Sequence, residues 1–135
     1  MTLIDTSPLV ALFIEHDKSH ARCRAITPTL SSPFITTWAC IAEAMYLLGR
    51  YGGHSAQDKL WAFIMSNKLI VHAHPPTEFD RMRFLMRQYS DTPMDFADAS
   101  LVAAAETLNE PRIFTLDSDF NIYRLHGHQP FQIQP

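Results

Sequence analysis

The chain has 135 residues, of which 47 % are hydrophobic, and this is enough for one folded core; we expect a single domain over residues 1–135. Its net charge of −3 gives no basic footprint for a nucleic acid, although acids that bind a metal ion can reverse the local field. The chain has two cysteines and no basic N-terminal region, which predicts a cytoplasmic protein with reduced thiols. It has no apolar run near the ~18 residues of a spanning helix, so no membrane association is expected.

The first half of the chain predicts two strands, each followed by helices. Residues 2–5 form a short apolar run that predicts a buried strand, and residues 8–14 predict a helix packed on the sheet. An exposed helix is predicted over about 16–25, before a proline. Residues 33–37 then predict a second strand, and 38–50 predict a helix of strong helix formers that glycines end.

The second half continues this alternation. Ser55 caps a further amphipathic helix, residues 68–74 predict a third strand, and Thr77 caps the helix that follows. Residues 112–116 predict a fourth strand, and 130–134, bracketed by prolines, predict a short edge strand. Strands that alternate with helices of this length predict an α/β fold with a mainly parallel sheet and helices on both faces.

The most informative helix is predicted over residues 92–108. Thr92 is expected to cap it, with Pro93 at the first helical position and Asp95 as the acid of a capping box. Asp98 lies on the apolar face of this helix, where a carboxylate is costly unless a cation or hydrogen-bond donors compensate it. A metal ion or a basic partner near Asp98 is therefore a hypothesis that this helix alone supports.

Three further carboxylates occupy comparable positions. Asp5 and Asp117 follow the first and fourth predicted strands, and Glu43 is the only charged residue between Trp38 and Gly49. Functional groups in open α/β sheets collect at the carboxyl ends of strands. Carboxylates brought together there need a cation, and oxygen ligands select Mg²⁺ or Mn²⁺. One or two such ions would activate water and stabilise a leaving oxygen, so the pattern predicts a nuclease.

Each acid also has a simpler explanation when it is taken alone. Asp95 is more often a capping acid than a ligand, Asp5 would be a turn acid, and Glu43 would pair with an arginine. Asp119 would be either a second ligand or the N-cap of the segment that starts at Phe120. In combination, the four acids Asp5, Glu43, Asp98 and Asp117 favour a metal site.

The arginines and histidines elsewhere in the chain can each be interpreted either as functional groups or as ordinary surface residues. Four arginines would neutralise RNA phosphates if they lay together, but a solvated helix face is favoured: Arg50, Arg81, Arg83 and Arg87. Two pairs of histidines are placed on one side of an extended chain and are interpreted as surface residues: His72 with His74, and His126 with His128. Cys23 and Cys40 are interpreted as structural.

The acidic segments, in their order and spacing, resemble those of the PIN-domain ribonucleases and most of all the VapC-type toxins of bacterial toxin–antitoxin pairs. Four segments carry this resemblance: Asp5-Thr6-Ser7, Glu43 early in a helix, residues 94–99 (MDFADA) and residues 115–120 (TLDSDF). Each segment alone is a weak match, but four in order over nearly the whole chain are specific.

The resemblance implies a three-layer α/β/α sandwich around a mainly parallel sheet of about five strands, and Mg²⁺- or Mn²⁺-dependent cleavage of RNA. It implies four metal-binding and catalytic carboxylates, which are Asp5, Glu43, Asp98 and Asp117. The auxiliary residues that it implies are Asp119, Asp95 and Ser7. Family members often form homodimers and are held inactive by a small antitoxin protein, so both kinds of partner are expected.

Two other functions compete with this interpretation. The first is a PIN-like protein that binds RNA or an antitoxin without significant turnover. The second is a phosphatase of the haloacid dehalogenase type, in which Asp5 would be the nucleophile. That chemistry requires a second acid two residues after the first, and Ser7 occupies the position, so this alternative is disfavoured.

Overall fold

Five parallel strands form the centre of the protein in the computed structural model, which describes residues 1–135. The strands in chain order are β1 (Thr2–Ile4), β2 (Phe34–Thr37), β3 (Leu69–His72), β4 (Arg112–Phe114), β5 (Arg124–Leu125), β6 (Gln129–Pro130) and β7 (Gln132–Gln134). The main sheet has the order β3-β2-β1-β4-β7, and β5 and β6 form a separate antiparallel pair. The expected α/β fold with a five-stranded, mainly parallel sheet is therefore confirmed, with the tail as an edge strand.

Helices cover both faces of this sheet. They are α1 (Thr6–Phe13), α2 (His20–Ile26), α3 (Trp38–Met65), α4 (Phe79–Gln88) and α5 (Phe96–Leu108). Short 3₁₀ turns lie at Thr27–Thr29, Pro76–Glu78 and Ser118–Asn121. None of the helices combines the length and the apolar composition that crossing a membrane requires.

The alternation of side chains along the strands divides the core into two layers. Leu3 is paired in register with Ile35 and Ile113, and all three pack in one cluster with α4 and α5. The next residue of β1, Ile4, belongs to the other cluster, with α1 and α3. Successive side chains of a strand point to opposite faces, so the short apolar runs supply both layers of a three-layer sandwich.

The long segment α3 consists of two helices that meet at a kink, in agreement with the two helices that the sequence predicts there. The helical segment runs from Trp38 to Met65 and leaves helical geometry only at Gly53, whose φ of 70° and ψ of −167° produce a kink. A positive φ is accessible to glycine at little cost, so this residue separates the two helices. Gly53 is the only non-helical residue of the segment, so Ser55 lies inside the second helix and is not its cap.

Two predicted helix starts are also wrong. Helix α5 begins at Phe96 and not near Thr92, because the amides of Thr92 and Met94 both donate to the carbonyl of Tyr89 and belong to the turn after α4. Thr77 does not cap α4, since it lies in the 3₁₀ turn that precedes the helix. A threonine followed by polar residues resembles a cap in sequence, but the backbone hydrogen bonds decide where the helix begins.

Candidate active site

Asp5 is the first residue after β1 and the N-cap of α1. The central position of β1 in the sheet leaves Asp5 only 6 % exposed. One carboxylate oxygen, Oδ1, accepts a hydrogen bond from the amide of Thr6 at 2.7 Å, and Oδ2 accepts one from the hydroxyl of Thr115 at 2.8 Å. Both oxygens are thus held in place by donors from two different elements.

Asp98 lies in the first turn of α5, which is buried along its length from Ala97 to Ala105. The amide of Asp98 donates to Asp95 at 2.8 Å, and Asp98 Oδ2 in turn accepts from the amide of Asp95 at 3.4 Å, which completes a capping box. The N-cap is thus Asp95, as the simpler interpretation of this acid predicted, while Asp98 holds the N3 position that had been expected for Asp95. The hydroxyl of Tyr123 also donates to Asp98 Oδ2, at 3.1 Å.

Asp117 follows β4 by three residues and is half-buried. Its side chain caps the 3₁₀ turn Ser118–Asn121, accepting a hydrogen bond from the amide of Asp119 at 2.9 Å. The cap role that had been considered for Asp119 therefore belongs to Asp117. The amide of Asp117 donates to the Thr115 hydroxyl at 3.0 Å, so Thr115 connects Asp117 with Asp5.

The carboxylates of Asp5, Asp98 and Asp117 converge, with one oxygen from each residue within 4.8 Å of the others. Three elements that are distant in sequence bring them together: the ends of β1 and β4 and the start of α5. No lysine, arginine or histidine forms an ion pair with any of them. Hard oxygen donors without a cationic partner are the donor set that suits Mg²⁺ or Mn²⁺.

The electrostatics of the cluster indicate the same need for a cation. Burial raises the pKa of Asp5 to about 6, despite the hydrogen bonds from Thr115 and Thr6, and the charges of Asp117 and Glu43 raise it further. Burial also raises the pKa of Asp98 to about 7, with additional repulsion from Asp95 and Asp5. A bound divalent ion would remove this repulsion and favour the ionised carboxylates.

Glu43 is not part of the three-residue cluster. It is exposed in the second turn of α3, where its Oε2 accepts a hydrogen bond from the Thr6 hydroxyl at 3.3 Å. Its charge nevertheless contributes to the raised pKa of Asp5, so it lies at the rim of the acidic cluster.

The three auxiliary residues have different positions. Asp95 is exposed and caps α5. Asp119 is half-buried, and its charge contributes, after burial and Asp98, to the raised pKa of Tyr123. Ser7 is exposed on α1 and lines a cavity of about 670 Å³.

Several residues around the acids were not assigned a role from the sequence. Thr115 and Tyr123 donate to the carboxylates, and Arg22 lines two cavities, the one beside Ser7 and one of about 180 Å³ lined by Asp117. The position of Thr115, two residues before Asp117, is a signal that could have identified it. Nothing in the spacing of Tyr123 or Arg22 indicates their position, because tertiary packing alone brings them near the acids.

The two cysteines are buried, as expected for structural residues, and one of the four arginines is paired with an acid. Cys23 and Cys40 are buried and unpaired, and burial together with the charge of Asp5 raises the pKa of Cys40 to about 12. Arg81 forms a two-point ion pair with Glu106, so it is not free to bind phosphate.

The two histidine pairs have different environments. His126 and His128 are exposed, in agreement with the interpretation as surface residues. His72 and His74 are mostly buried beside Glu78, so the same interpretation is wrong for them. Both rings contact Glu78, which is held against Thr107 of α5, and the local sequence does not reveal this contact.

Comparisons with known proteins agree with the geometry. The family model described as PIN domain matches residues 2–124. The fold is similar to that of the Mycobacterium tuberculosis toxin VapC20, which cleaves the sarcin–ricin loop. The TM-score is 0.83 and the identity 20 %, over 90 % of this chain and 94 % of that chain.

A chain in a toxin–antitoxin complex from Klebsiella pneumoniae is also similar. Its TM-score is 0.66 at 18 % identity, over 89 % of this chain and 90 % of that chain. Curated protein sequences give no significant match. At these identities the two solved structures establish a shared fold.

Proposed function

The chain belongs to the PIN-domain family, and we propose that it is a Mg²⁺- or Mn²⁺-dependent endoribonuclease and the toxin of a VapBC-type toxin–antitoxin pair. The observation that carries this proposal is the convergence of Asp5, Asp98 and Asp117 within 4.8 Å, with no cationic side chain among them. Such a cluster is costly in a metal-free protein, so its presence supports a site that a divalent ion completes.

The residues of the chain have distinct roles in this proposal. Asp5, Asp98 and Asp117 would hold the ion, and Glu43 at the rim would approach it from the open side. When bound, a divalent cation would activate water for attack on the phosphodiester and stabilise charge on the leaving oxygen.

The donors around the acids would keep this arrangement fixed. The hydroxyl of Thr115 and the amide of Thr6 orient the two oxygens of Asp5, and the hydroxyl of Tyr123 orients Asp98. The amide of Asp119 orients Asp117. Ligands held by such surrounding hydrogen bonds lose little freedom on binding the ion, which favours both affinity and correct geometry.

The substrate would approach through the cavities beside the acids. Arg22 lines the small cavity with Asp117 and the larger one with Ser7, and Lys18 also lines the larger cavity. Their positive charges would bind phosphates of an RNA strand on either side of the scissile bond. Such an enzyme would act in the cytoplasm on structured or single-stranded RNA.

We also propose a small antitoxin and a second copy of the chain as protein partners. The fold similarity to a chain crystallised in a toxin–antitoxin complex supports the first. Exposed aromatic side chains on α3 support contacts with a protein partner, since large apolar groups are depleted from surfaces that stay solvated: Trp38, Tyr46, Tyr51 and Trp61.

The decisive experiment compares RNA cleavage by the wild-type protein and by Asp98→Asn, with and without Mg²⁺ or Mn²⁺. We expect divalent-dependent cleavage that Asp98→Asn lowers at least about a hundredfold, because the variant loses a charge that holds the ion. Asp58→Asn, which changes an exposed aspartate of α3, is the matched control and should retain full activity. A folded wild-type protein that binds RNA but cleaves none across several metals would instead support a non-catalytic binding protein.

A further inference from the structure

A second cluster of metal-ligating side chains lies outside the acidic site. His72 Nε2 is 3.0 Å and 3.2 Å from the two carboxylate oxygens of Glu78, and His74 Nδ1 contacts Oε2 of the same glutamate. One donor atom from each of the three residues lies within 4.8 Å of the others. The proposed nuclease chemistry uses none of them.

A short stretch of sequence builds this cluster. His72 is the last residue of β3, and the extended backbone places His74 on the same side, with the two rings edge to face at 5.0 Å. The 3₁₀ turn Pro76–Glu78, in which the amide of Glu78 donates to the carbonyl of Pro75 at 2.9 Å, then brings the carboxylate back to the two rings. Seven residues therefore supply two imidazoles and one carboxylate to a single point.

The glutamate is buried and forms no ion pair with a lysine or an arginine. Its side chain is 7 % exposed, and the side chains of His72 and His74 are 13 % and 12 % exposed. Burial alone would raise the pKa of Glu78, but hydrogen bonds from Thr107, His74 and His72 outweigh it and lower the pKa. Its only ion-pair partners are the two histidines. A buried carboxylate in this state is stabilised by a cation that the histidines can also bind.

We propose that His72, His74 and Glu78 bind a divalent transition-metal ion such as Zn²⁺, at a site separate from the acidic cluster. Two imidazoles and one carboxylate form a ligand set that Zn²⁺ accepts in tetrahedral geometry, with the fourth position open, whereas Mg²⁺ prefers oxygen ligands alone. The contact of Thr107 with Glu78 holds the carboxylate in orientation, as the surroundings of metal ligands usually do.

The two sites are at opposite ends of α5. Glu78 contacts Thr107 in the last turn of this helix, whereas Asp98 lies in the first turn. Nine residues of α-helix correspond to roughly 14 Å. The inference is therefore independent of the proposed nuclease function.

The surroundings of His74 leave one of its ring nitrogens without a partner. While Nδ1 contacts Glu78, the second ring nitrogen, Nε2, is buried and has no hydrogen-bond partner. His74 also lines a cavity of about 570 Å³ with Phe79 and Met82, which has room for a water molecule as the fourth ligand.

Binding at this site would join elements that are otherwise held by side-chain packing. The ion would connect the end of β3 with the 3₁₀ turn before α4 and, through Glu78 and Thr107, with the end of α5. Because the unfolded chain does not preserve this arrangement, the ion would stabilise the native state by mass action.

The test is a titration of the full-length, metal-free protein with Zn²⁺ in buffer that contains excess Mg²⁺ to occupy the acidic site. We expect one Zn²⁺ per chain by calorimetry and a melting temperature that rises with Zn²⁺ concentration. The double variant His72→Gln/His74→Gln should lose at least about tenfold in Zn²⁺ affinity, since even residues that only orient ligands contribute that much. The matched control is His126→Gln/His128→Gln, which removes an exposed pair with the same spacing and should bind as the wild type does.

Two results would overturn the proposal: no stoichiometric Zn²⁺ binding by the folded wild-type protein, or wild-type affinity in the double variant. If the double variant does not fold, crystals of the wild-type protein soaked in Zn²⁺ decide the question. An anomalous-scattering peak between His72, His74 and Glu78 is expected, and zinc bound only elsewhere would contradict the assignment.

Discussion

The hydroxyl of Tyr123 donates a hydrogen bond to Oδ2 of Asp98 at 3.1 Å, across 25 residues of sequence. Both side chains are buried, and the aromatic ring of Tyr123 packs edge to face against Tyr89 and Phe120. Burial and the negative charge of Asp98 raise the pKa of Tyr123, so its hydroxyl stays protonated and remains a donor. The carboxylate proposed as a metal ligand is thus held by a rigid aromatic side chain.

The variant Tyr123→Phe tests this relationship. It keeps the ring packing and removes only the donor, so we expect the apparent affinity for Mn²⁺ to fall about tenfold to a hundredfold, as for other groups that orient metal ligands. RNA cleavage measured as a function of Mn²⁺ concentration would show the shift. Tyr89→Phe removes a neighbouring hydroxyl that does not contact Asp98 and should leave the dependence of cleavage on Mn²⁺ unchanged. If Tyr123→Phe also showed the wild-type dependence on Mn²⁺, this would argue against an orienting role for its hydroxyl.

The variant Thr115→Val tests the link between Asp5 and Asp117. Valine has nearly the shape of threonine but leaves Asp5 Oδ2 without its donor and the amide of Asp117 without its acceptor. We expect the free energy of unfolding to fall by about 1–3 kcal/mol, the usual result of unpaired buried polar groups. Denaturant titrations measure this change, and Thr115→Ser, which keeps the hydroxyl, should recover most of it.

The stability of the metal-free protein should depend on pH through Asp5 and Asp98. Their folded-state pKa values of about 6 and about 7 exceed the ordinary value of 3.8, so the fold favours their protonated forms. Their contribution to stability is complete below about pH 4 and is lost as pH rises through 6 and 7. In a chelating buffer, the free energy of unfolding of Asp98→Asn relative to wild type should therefore rise across this window.

The same measurement of unfolding free energy against pH, made in the presence of Mg²⁺, tests the effect of the metal ion. Mg²⁺ should stabilise the wild-type protein most at the alkaline end, where the carboxylates are ionised, and should stabilise Asp98→Asn much less. A wild-type protein whose stability relative to Asp98→Asn does not change with pH would show that the burial of Asp98 does not perturb its ionisation.

Arg22 is expected to bind RNA phosphate at the two cavities beside the acids. The variant Arg22→Gln should weaken RNA binding and reduce the slope of log affinity against log salt by about 0.7 for a single-stranded substrate. Binding is measured with a catalytically silent Asp98→Asn background so that the RNA stays intact. Arg24→Gln changes an exposed arginine of the same helix that lines neither of these two cavities and is the matched control.

Glu43 is the acid whose predicted role needs the most direct test, because it lies outside the three-carboxylate cluster. If it approaches the ion from the rim, Glu43→Gln should lower cleavage about tenfold, less than Asp98→Asn, because a weakly held charge contributes less than a buried ligand. Because Glu43 is exposed, its substitution should change the free energy of unfolding little. The rate of single-turnover RNA cleavage measures this effect. Unchanged activity in Glu43→Gln would show that Glu43 is not part of the proposed site.

The sequence alone determined the architecture and the family to a large extent. Apolar runs of three to five residues that alternate with helical segments are typical of a parallel sheet covered on both faces, and the structure contains such a sheet. The position of Asp98 on an apolar helix face and of Asp5 and Asp117 after strands indicated a shared site, because the carboxyl ends of parallel strands meet at one edge. Local patterns were less reliable at helix ends, where Thr92 was predicted as the cap of α5 and Asp95 is the cap in the structure.

Only the tertiary structure decided which side chains support the acids and which remain outside. Tyr123 contacts Asp98, Thr115 contacts Asp5, and Arg22 lines a cavity with Asp117, each across a long separation in sequence that no periodicity specifies. The same holds for Glu78, whose burial against α5 gives a local pair of histidines a third donor. The physical reason is that sequence periodicity specifies which face of an element is buried, whereas the partner that meets that face depends on how distant elements pack.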